Sequence, residues 1–344
     1  MVHLRIVVPP DRTQNAVDLL LQTASVCNVV LLEGVARRPD GDVILADVAH
    51  EDTSVVLSDL KELGIHEDGS IALEIIDTEI GHFAEQAEKE AKGAVADAVV
   101  WEQVEERTEE NVELSGVFLL FMVLAGLIAA VGILLDQPIL IVGAMVVGPE
   151  FGPIAGFCVA AVQRRRPLAA RSALALALGF PLAIVIVYLA TLLFKATGLA
   201  PQDIGDEGDV IYAIVSSPDF FAFFVAACAG AAGMLSLATS KSGALIGVLI
   251  SVTTIPAAAG IGIAAAYGDW TGFRGSIGQL AVNLTAILLA GTATLYVQRL
   301  SYRRRRVRHL SDRAREAAGL PLGRSRNTGA RVARAEDEVG TGLR

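Results

Sequence analysis

The chain has 344 residues, 53% of them apolar and 19% charged, with a mean hydropathy of +0.53. A soluble domain carries about a quarter charged residues. The charge is also unevenly placed: residues 1–112 hold 8 Lys/Arg and 24 Asp/Glu, residues 113–297 hold 7 and 9, and residues 298–344 hold 13 and 5. An acidic start, a nearly uncharged middle and a basic end exclude a single globular enzyme and place the middle in a membrane.

The first 81 residues alternate strand-like and helix-like runs. Leu4 to Val8 reads as a strand closed by Pro9-Pro10, and residues 12–24 put Ala16, Leu19, Leu20 and Thr23 on one helical face. The β-branched run 26–35 ends at Arg37-Arg38-Pro39-Asp40-Gly41, a turn cluster that lets 43–48 pair back as a hairpin. Val56, Leu57, Leu60 and Leu63 repeat the helical spacing before Gly64, a C-terminal cap, and 71–76 is a fourth strand. The order βαββαβ predicts a small α+β, ferredoxin-like cytosolic domain, a fold that carries no function by itself.

Residues 82–112 predict one long acidic connecting helix. Phe83, Ala87, Ala91, Ala94, Ala98 and Trp101 recur at helical spacing among Glu and Lys; the helix either packs on the small domain or a second subunit or, in the bland reading, is a solvated linker.

Six apolar runs fill 113–298, at about 114–135, 139–162, 172–196, 220–239, 242–267 and 276–297. Each is long enough to cross roughly 30 Å of hydrocarbon at 1.5 Å per residue. Arg164-Arg165-Arg166 with Arg171, then Lys241, then Arg303 to Arg306 flank alternate connections. Asp136, then Asp203 to Asp209, then Asp269 with Arg274 mark the others. The positive-inside bias predicts six spans with both termini cytoplasmic in the cell inner membrane. Cys27, Cys158 and Cys228 form no disulfide framework, which agrees with a reducing side for the soluble part. Met1 to Pro10 lacks the pattern of a signal peptide, so the first span is expected to serve as the targeting signal. The basic end, 299–344, is expected to be largely disordered. Its Arg303–Arg306 run reads as a topology anchor able to touch anionic lipid, and a nucleic-acid role is the weaker reading.

Soluble-enzyme chemistry is missing from the pattern. His3, His50, His66, His82 and His309 have no metal-ligand spacing, and no phosphate-binding loop occurs. No nucleophile, His and acid trio can be assembled in the membrane, so no catalytic residue, cofactor or metal is expected.

The second run stands apart. It reads Gly143-Ala144-Met145-Val146-Val147-Gly148-Pro149-Glu150-Phe151-Gly152-Pro153, with Glu150 at its centre. A charged carboxylate at that depth costs at least about 2.5 kcal/mol, so it needs a cavity, a partner or a proton. Pro149 and Pro153 each lack an N–H and obstruct the preceding turn, which predicts two half-helices joined by an unwound stretch. Glu150 either caps the second half-helix or sits on a substrate, ion or proton path. The fifth run, Gly247 to Pro256 and Gly260, lies over Gly143 to Gly152 and Gly156 without a gap. Glu150 falls opposite Thr254, and Pro256 misses Pro153 by one position. Two three-span halves of opposite topology with interrupted middle helices have the pattern of an inverted repeat in secondary transporters. Thr253, Thr254 and Asn283, with Gln279 one turn away, are the added polar candidates beside Gly148, Pro149, Glu150, Gly152 and Pro153. Inter-helix hydrogen bonding is the other reading of Asn283.

Gly132-Ile133-Leu134-Leu135-Asp136-Gln137-Pro138, Gly143-Ala144-Met145, Pro149 and Gly152-Pro153-Ile154 resemble the signature of bacterial and archaeal membrane proteins catalogued as domain of unknown function 389. The resemblance covers roughly 115–260. It implies a multi-span hydrophobic domain, often beside a small cytosolic one, and supplies no activity. The chain departs from the pattern at Glu150-Phe151, where an apolar Leu-Met pair is expected. The expected function is transport of a small solute or ion, with a proton or monovalent cation as the coupling ion. A membrane-anchored sensor and an ion channel are the alternatives. The Gly, Ala and Ser of the fourth and fifth runs (Ala226, Gly230, Gly233, Gly243, Gly247) predict a homo-oligomer.

Overall fold

Strand β1 (Val2–Val8) sends Val2, Leu4, Ile6 and Val8 to complete burial and turns the residues between them to the other face. In the computed structural model, which describes residues 1–76, 78–91, 100–201, 203–204, 210–239, 247–248 and 253–323, this alternation anchors a four-stranded sheet. α1 (Thr13–Gln22) leads to β2 (Val26–Arg37), which returns as β3 (Asp40–Val48). α2 (Thr53–Glu62) and the single turn α3 (Ile65–Asp68) lead to β4 (Ser70–Ile75). The order is β2-β3-β1-β4, antiparallel throughout, so each helical connection skips one strand. Ile44, Ala46 and Val48 of β3 join the β1 residues against Leu19 and Leu20 of α1 and Val56, Leu57 and Leu60 of α2. Gly64, next after the capping residue Leu63 of α2, takes φ +76°, the left-handed conformation that lets the chain leave the helix.

The connecting segment departs from the sequence expectation. α4 (His82–Glu90) ends at Ala91, whose backbone is extended, and α5 (Trp101–Asn111) is a separate helix. The alanines at 94 and 98 lie outside the described residues. α5 is not simply solvated: Val104 and Thr108 are buried, and Gly156 packs on Thr108 and Val112.

The chain divides into two compact units, Met1–Glu102 joined by the described residues from Leu300 on, and Gln103–Arg299. In the first unit, the expected disordered tail is corrected as far as residue 323. Ala314 and Ala318, on and just after α14 (Arg313–Ala317), and Leu320 are buried in the same cluster as Leu19 and Leu20. One arginine of the basic run, Arg306, is held in ion pairs. Arg306 Nη1 meets Asp59 Oδ1 at 2.5 Å and its Nη2 meets Glu62 Oε1 at 2.6 Å. Arg315 pairs with Asp59 and, at 2.8 Å, with Glu62, while His309 Nε2 lies 2.8 Å from Asp59 Oδ2. These arginines hold acids of α2, and burial of Arg315, Asp59 and Glu62 makes the clasp geometric rather than a wet surface feature. Residues 324–344 lie outside the described residues.

The second unit is helical and belongs to a membrane protein. Among the described residues, four helices are long and apolar enough to cross a bilayer: α6 (Gly116–Leu134), α9 (Arg166–Ala196), α11 (Phe220–Ala238) and α13 (Trp270–His309). α7 (Pro138–Val147) and α8 (Phe151–Gln163), bent by 51° at their break, are long and apolar enough for a fifth if the pair is counted as one span. The shorter apolar helix α12 (Thr254–Tyr267) takes the second half of the fifth run, most of whose first half lies outside the described residues. A short helix, α10 (Val210–Val215), interrupts the expected acidic loop, and its Tyr212 hydroxyl donates to Asp269 at 2.6 Å. α12 packs against α6, α7 and α9. On α11, Gly230 lies so close to α13 that an added Cβ would stand 2.7 Å from the Ile287 carbonyl oxygen.

Candidate functional site

The break between α7 and α8 is written in the backbone chemistry. Gly148 N donates to Ala144 O at 3.0 Å and ends α7; Pro149 has no N–H to carry the ladder on. Pro153 sits in the first turn of α8, where its missing donor has no intrahelical partner to lose. Gly152 N donates to Pro149 O at 3.3 Å, closing the turn that begins the second half-helix. Gly148 has no room for a side chain, since a Cβ there would meet the Glu150 carboxylate and stand 2.8 Å from Ile255 Cγ1.

Glu150 occupies the position before α8, yet its carboxylate makes no capping bond to the first-turn amides. The capping alternative is therefore not what the geometry displays. Instead the Thr254 hydroxyl donates to Glu150 Oε1 at 2.8 Å, across 104 positions of sequence. Glu150 is 2% exposed and Thr254 fully buried. Thr253, just before α12, accepts through Oγ1 from Asn283 Nδ2 of α13 at 2.7 Å. One chain of contacts thus links the three segments that were singled out separately in the sequence: Glu150 to Thr254, and the adjacent Thr253 to Asn283.

The register of the two half-helices shifts by one from the ungapped sequence alignment. Pro153 is the third residue of α8 and Pro256 the third residue of α12. Glu150 and Thr253, not Thr254, hold the equivalent places before the two helices.

Among the described residues, Glu150 Oε2 and, on α13, Asn283 Oδ1, Gln279 Oε1 and Ser276 Oγ are buried oxygens with no hydrogen-bond partner. Ser276, Gln279 and Asn283 lie three and four positions apart and share one face of α13. Sequence reading did not name Ser276 as a site residue, although its spacing from Gln279 and Asn283 is the signal that finds it. A buried polar atom left unpaired costs about 1–3 kcal/mol, so four of them serve no packing purpose. Chemically they are oxygen acceptors, suited to a proton, a hard monovalent cation or the N–H and O–H groups of a small solute. Basic residues stand only at the margins. Lys195 Nζ donates to Ala266 O at 3.2 Å and Arg299 Nη1 to Val162 O at 2.7 Å, each at the end of a half-helix. A separate cavity of about 560 Å³ in this unit is lined by apolar side chains such as Phe157, Phe180, Pro181 and Leu284, and the polar cluster does not open into it.

Comparison with curated proteins and with solved structures gave no match. Residues 145–289, which carry the break at Gly148 to Glu150, α8, Thr253, Thr254, Gln279 and Asn283, match the model of the family described as Domain of unknown function (DUF389).

Proposed function

We propose that this protein is a secondary transporter of a small solute or ion in the cell inner membrane, with its binding site at Gly148, Pro149, Glu150, Gly152, Pro153, Thr253, Thr254 and Asn283. The observation that carries the reading is the contact between the two half-helix starts. An intramembrane acid at one break hydrogen-bonds a hydroxyl at the other, with one carboxylate oxygen left over. Discontinuous helices meeting near mid-membrane are the architecture in which transporters place substrate and coupling ion. The proposal includes six spans with cytoplasmic termini, two inverted three-span halves, a ferredoxin-like cytosolic domain and a homo-oligomer. The strand order of the sheet and the matching prolines of α8 and α12 support it. Glu150 takes up a proton or a monovalent cation as the halves rock, and the orphan oxygens of α13 hold the cargo.

The test is flux in proteoliposomes loaded with a pH-sensitive dye, under imposed Na⁺ or K⁺ gradients. Cation-driven proton movement is expected with the unaltered chain and lost in Glu150→Gln and Thr254→Val proteins that elute as the unaltered one does. Equal movement in these variants would refute the site.

A sensor reading has one observation in its favour: Arg306 and Arg315, at and beyond the end of α13, are held to α2 of the sheet unit by buried ion pairs. A ligand on that unit would then act on the segment that follows the last span.

A further inference from the structure

In the sheet unit, the second face of the sheet carries a row of chemistry that no spacing in the sequence announced. His3 of β1 stands opposite Asp47 of β3, and Asp47 stands opposite Cys27 of β2. A register shift between Cys27 and Val30 follows, with Asn28 at φ +53°, a left-handed conformation that Asn tolerates better than most residues. That kink lets Asn28 Nδ2 donate both to Asp47 Oδ2 at 2.7 Å and to Glu79 Oε1 at 2.8 Å. His3 Nδ1 lies 2.6 Å from Asp47 Oδ1. The result is that Cys27 Sγ and a carboxylate oxygen of each of Asp47 and Glu79 lie within 4.8 Å of one another.

We propose that Cys27, Asp47 and Glu79 are the protein ligands of an exchangeable divalent metal ion of the zinc class, with Asn28 and His3 holding the two carboxylates in place.

Three observations carry this. Cys27 is a free thiol, 9% exposed, and makes no hydrogen bond among the described residues. Glu79 Oε2 is buried and has no hydrogen-bond partner among the described residues, so a lone pair is left for a ligand. Asp47 accepts one bond at each oxygen and keeps a second lone pair on both. The donor set selects the metal: one sulfur and two carboxylates suit Zn²⁺, whereas Ca²⁺ and Mg²⁺ want oxygen alone. Ligand atoms around tetrahedral zinc stand about 3.5 Å apart, so closure needs only small side-chain movements. On binding, the Cys27 S–H bond breaks, its proton leaves to solvent and a sulfur–metal bond forms. Three protein ligands leave a fourth position for water. Cys27 and Asn28 also line a cavity of about 670 Å³ with Phe83, Gln86 and Glu90 of α4, which gives the ion a way in and out. The site is independent of the transport reading.

The experiment titrates the full-length protein in detergent with Co²⁺, a spectroscopic substitute for zinc, and then with Zn²⁺. One Co²⁺ per chain with a sulfur-to-cobalt charge-transfer band, displaced by Zn²⁺, is expected. Cys27→Ser should abolish the band, Glu79→Gln should weaken binding by more than about 10-fold, and Asn28→Ala by about 10-fold. Cys158→Ala, Cys228→Ala and Glu150→Gln should bind as the unaltered chain does. Far-UV circular dichroism establishes that each variant is folded. No band in the unaltered chain, a band that survives Cys27→Ser, or unchanged affinity in folded Glu79→Gln would each overturn the proposal.

Discussion

Replacing Arg315 by Met removes a cation while keeping most of its stem. Arg315 is fully buried, and its partners Asp59 and Glu62 have side chains 0% and 1% exposed, so solvent does not screen the loss. Taking one partner from a buried ion pair costs about 3–5 kcal/mol, because the other charge stays desolvated and uncompensated. Arg306 remains on both acids and His309 on Asp59, which points to the lower end, about 3 kcal/mol. At 1.4 kcal/mol per tenfold, that is roughly a 100-fold rise in the population whose C-terminal segment has come away. The reporters are amides whose bonds close this segment: Ala318 to Ala314 O, Leu320 to Arg315 O at 2.8 Å and Gly323 to Leu310 O at 2.8 Å. Hydrogen exchange read by mass spectrometry on the full-length protein should show these amides exchanging about 100-fold faster, with β1 and β3 little changed. Adding Asp59→Asn should recover part of the protection, since the surplus negative charge goes with it. Unchanged exchange in Arg315→Met, or no recovery in the pair, would show that the clasp contributes nothing to holding the segment.

Gly230→Ala should lower the thermal unfolding temperature in detergent by several degrees, because the new Cβ meets the Ile287 backbone, which cannot rotate away. Gly143→Ala, with nothing within 4 Å of the added atom, should be neutral or stabilising by up to about 1 kcal/mol. Thr254→Val should cost about 1–3 kcal/mol of stability at a pH where Glu150 is ionised, by removing the donor to Oε1, and equal melting curves would deny that the bond matters. His50 titrates below its ordinary 6.5 because burial disfavours its charged form, and its Nδ1 is buried without a partner. A base with a depressed pKa contributes stability above that ordinary value and loses it as pH falls toward the folded value. Protection of β3 and α2 should therefore fall on acidification below 6.5, and His50→Gln should flatten that slope.

What the sequence alone determined is local. Strand alternation, the lengths of the apolar runs and the half-helix break at Pro149 and Pro153 follow from side-chain periodicity and a missing N–H, which act within a few residues. The central place of Glu150 in the second apolar run follows from counting. Even the candidates Thr253, Thr254 and Asn283 were legible, as polar groups too costly to leave at random in apolar runs. Their pairing was not. Thr254 reaches Glu150 across 104 positions, and Pro153 and Pro256 each stand third in their helix, one residue away from the ungapped reading. The same holds for the sheet unit. Sequence reading made Arg303–Arg306 a topology anchor and the residues beyond a disordered tail, because composition does not register that Asp59 and Glu62 sit on the buried face of α2 and pair with Arg306 and Arg315. Cys27, Asp47 and Glu79 come from three separate segments and meet only because β3 sets its register against β2 and β1 at once. Register and long-range closure are decided by burial of a whole face, a collective energy that no short window of sequence contains.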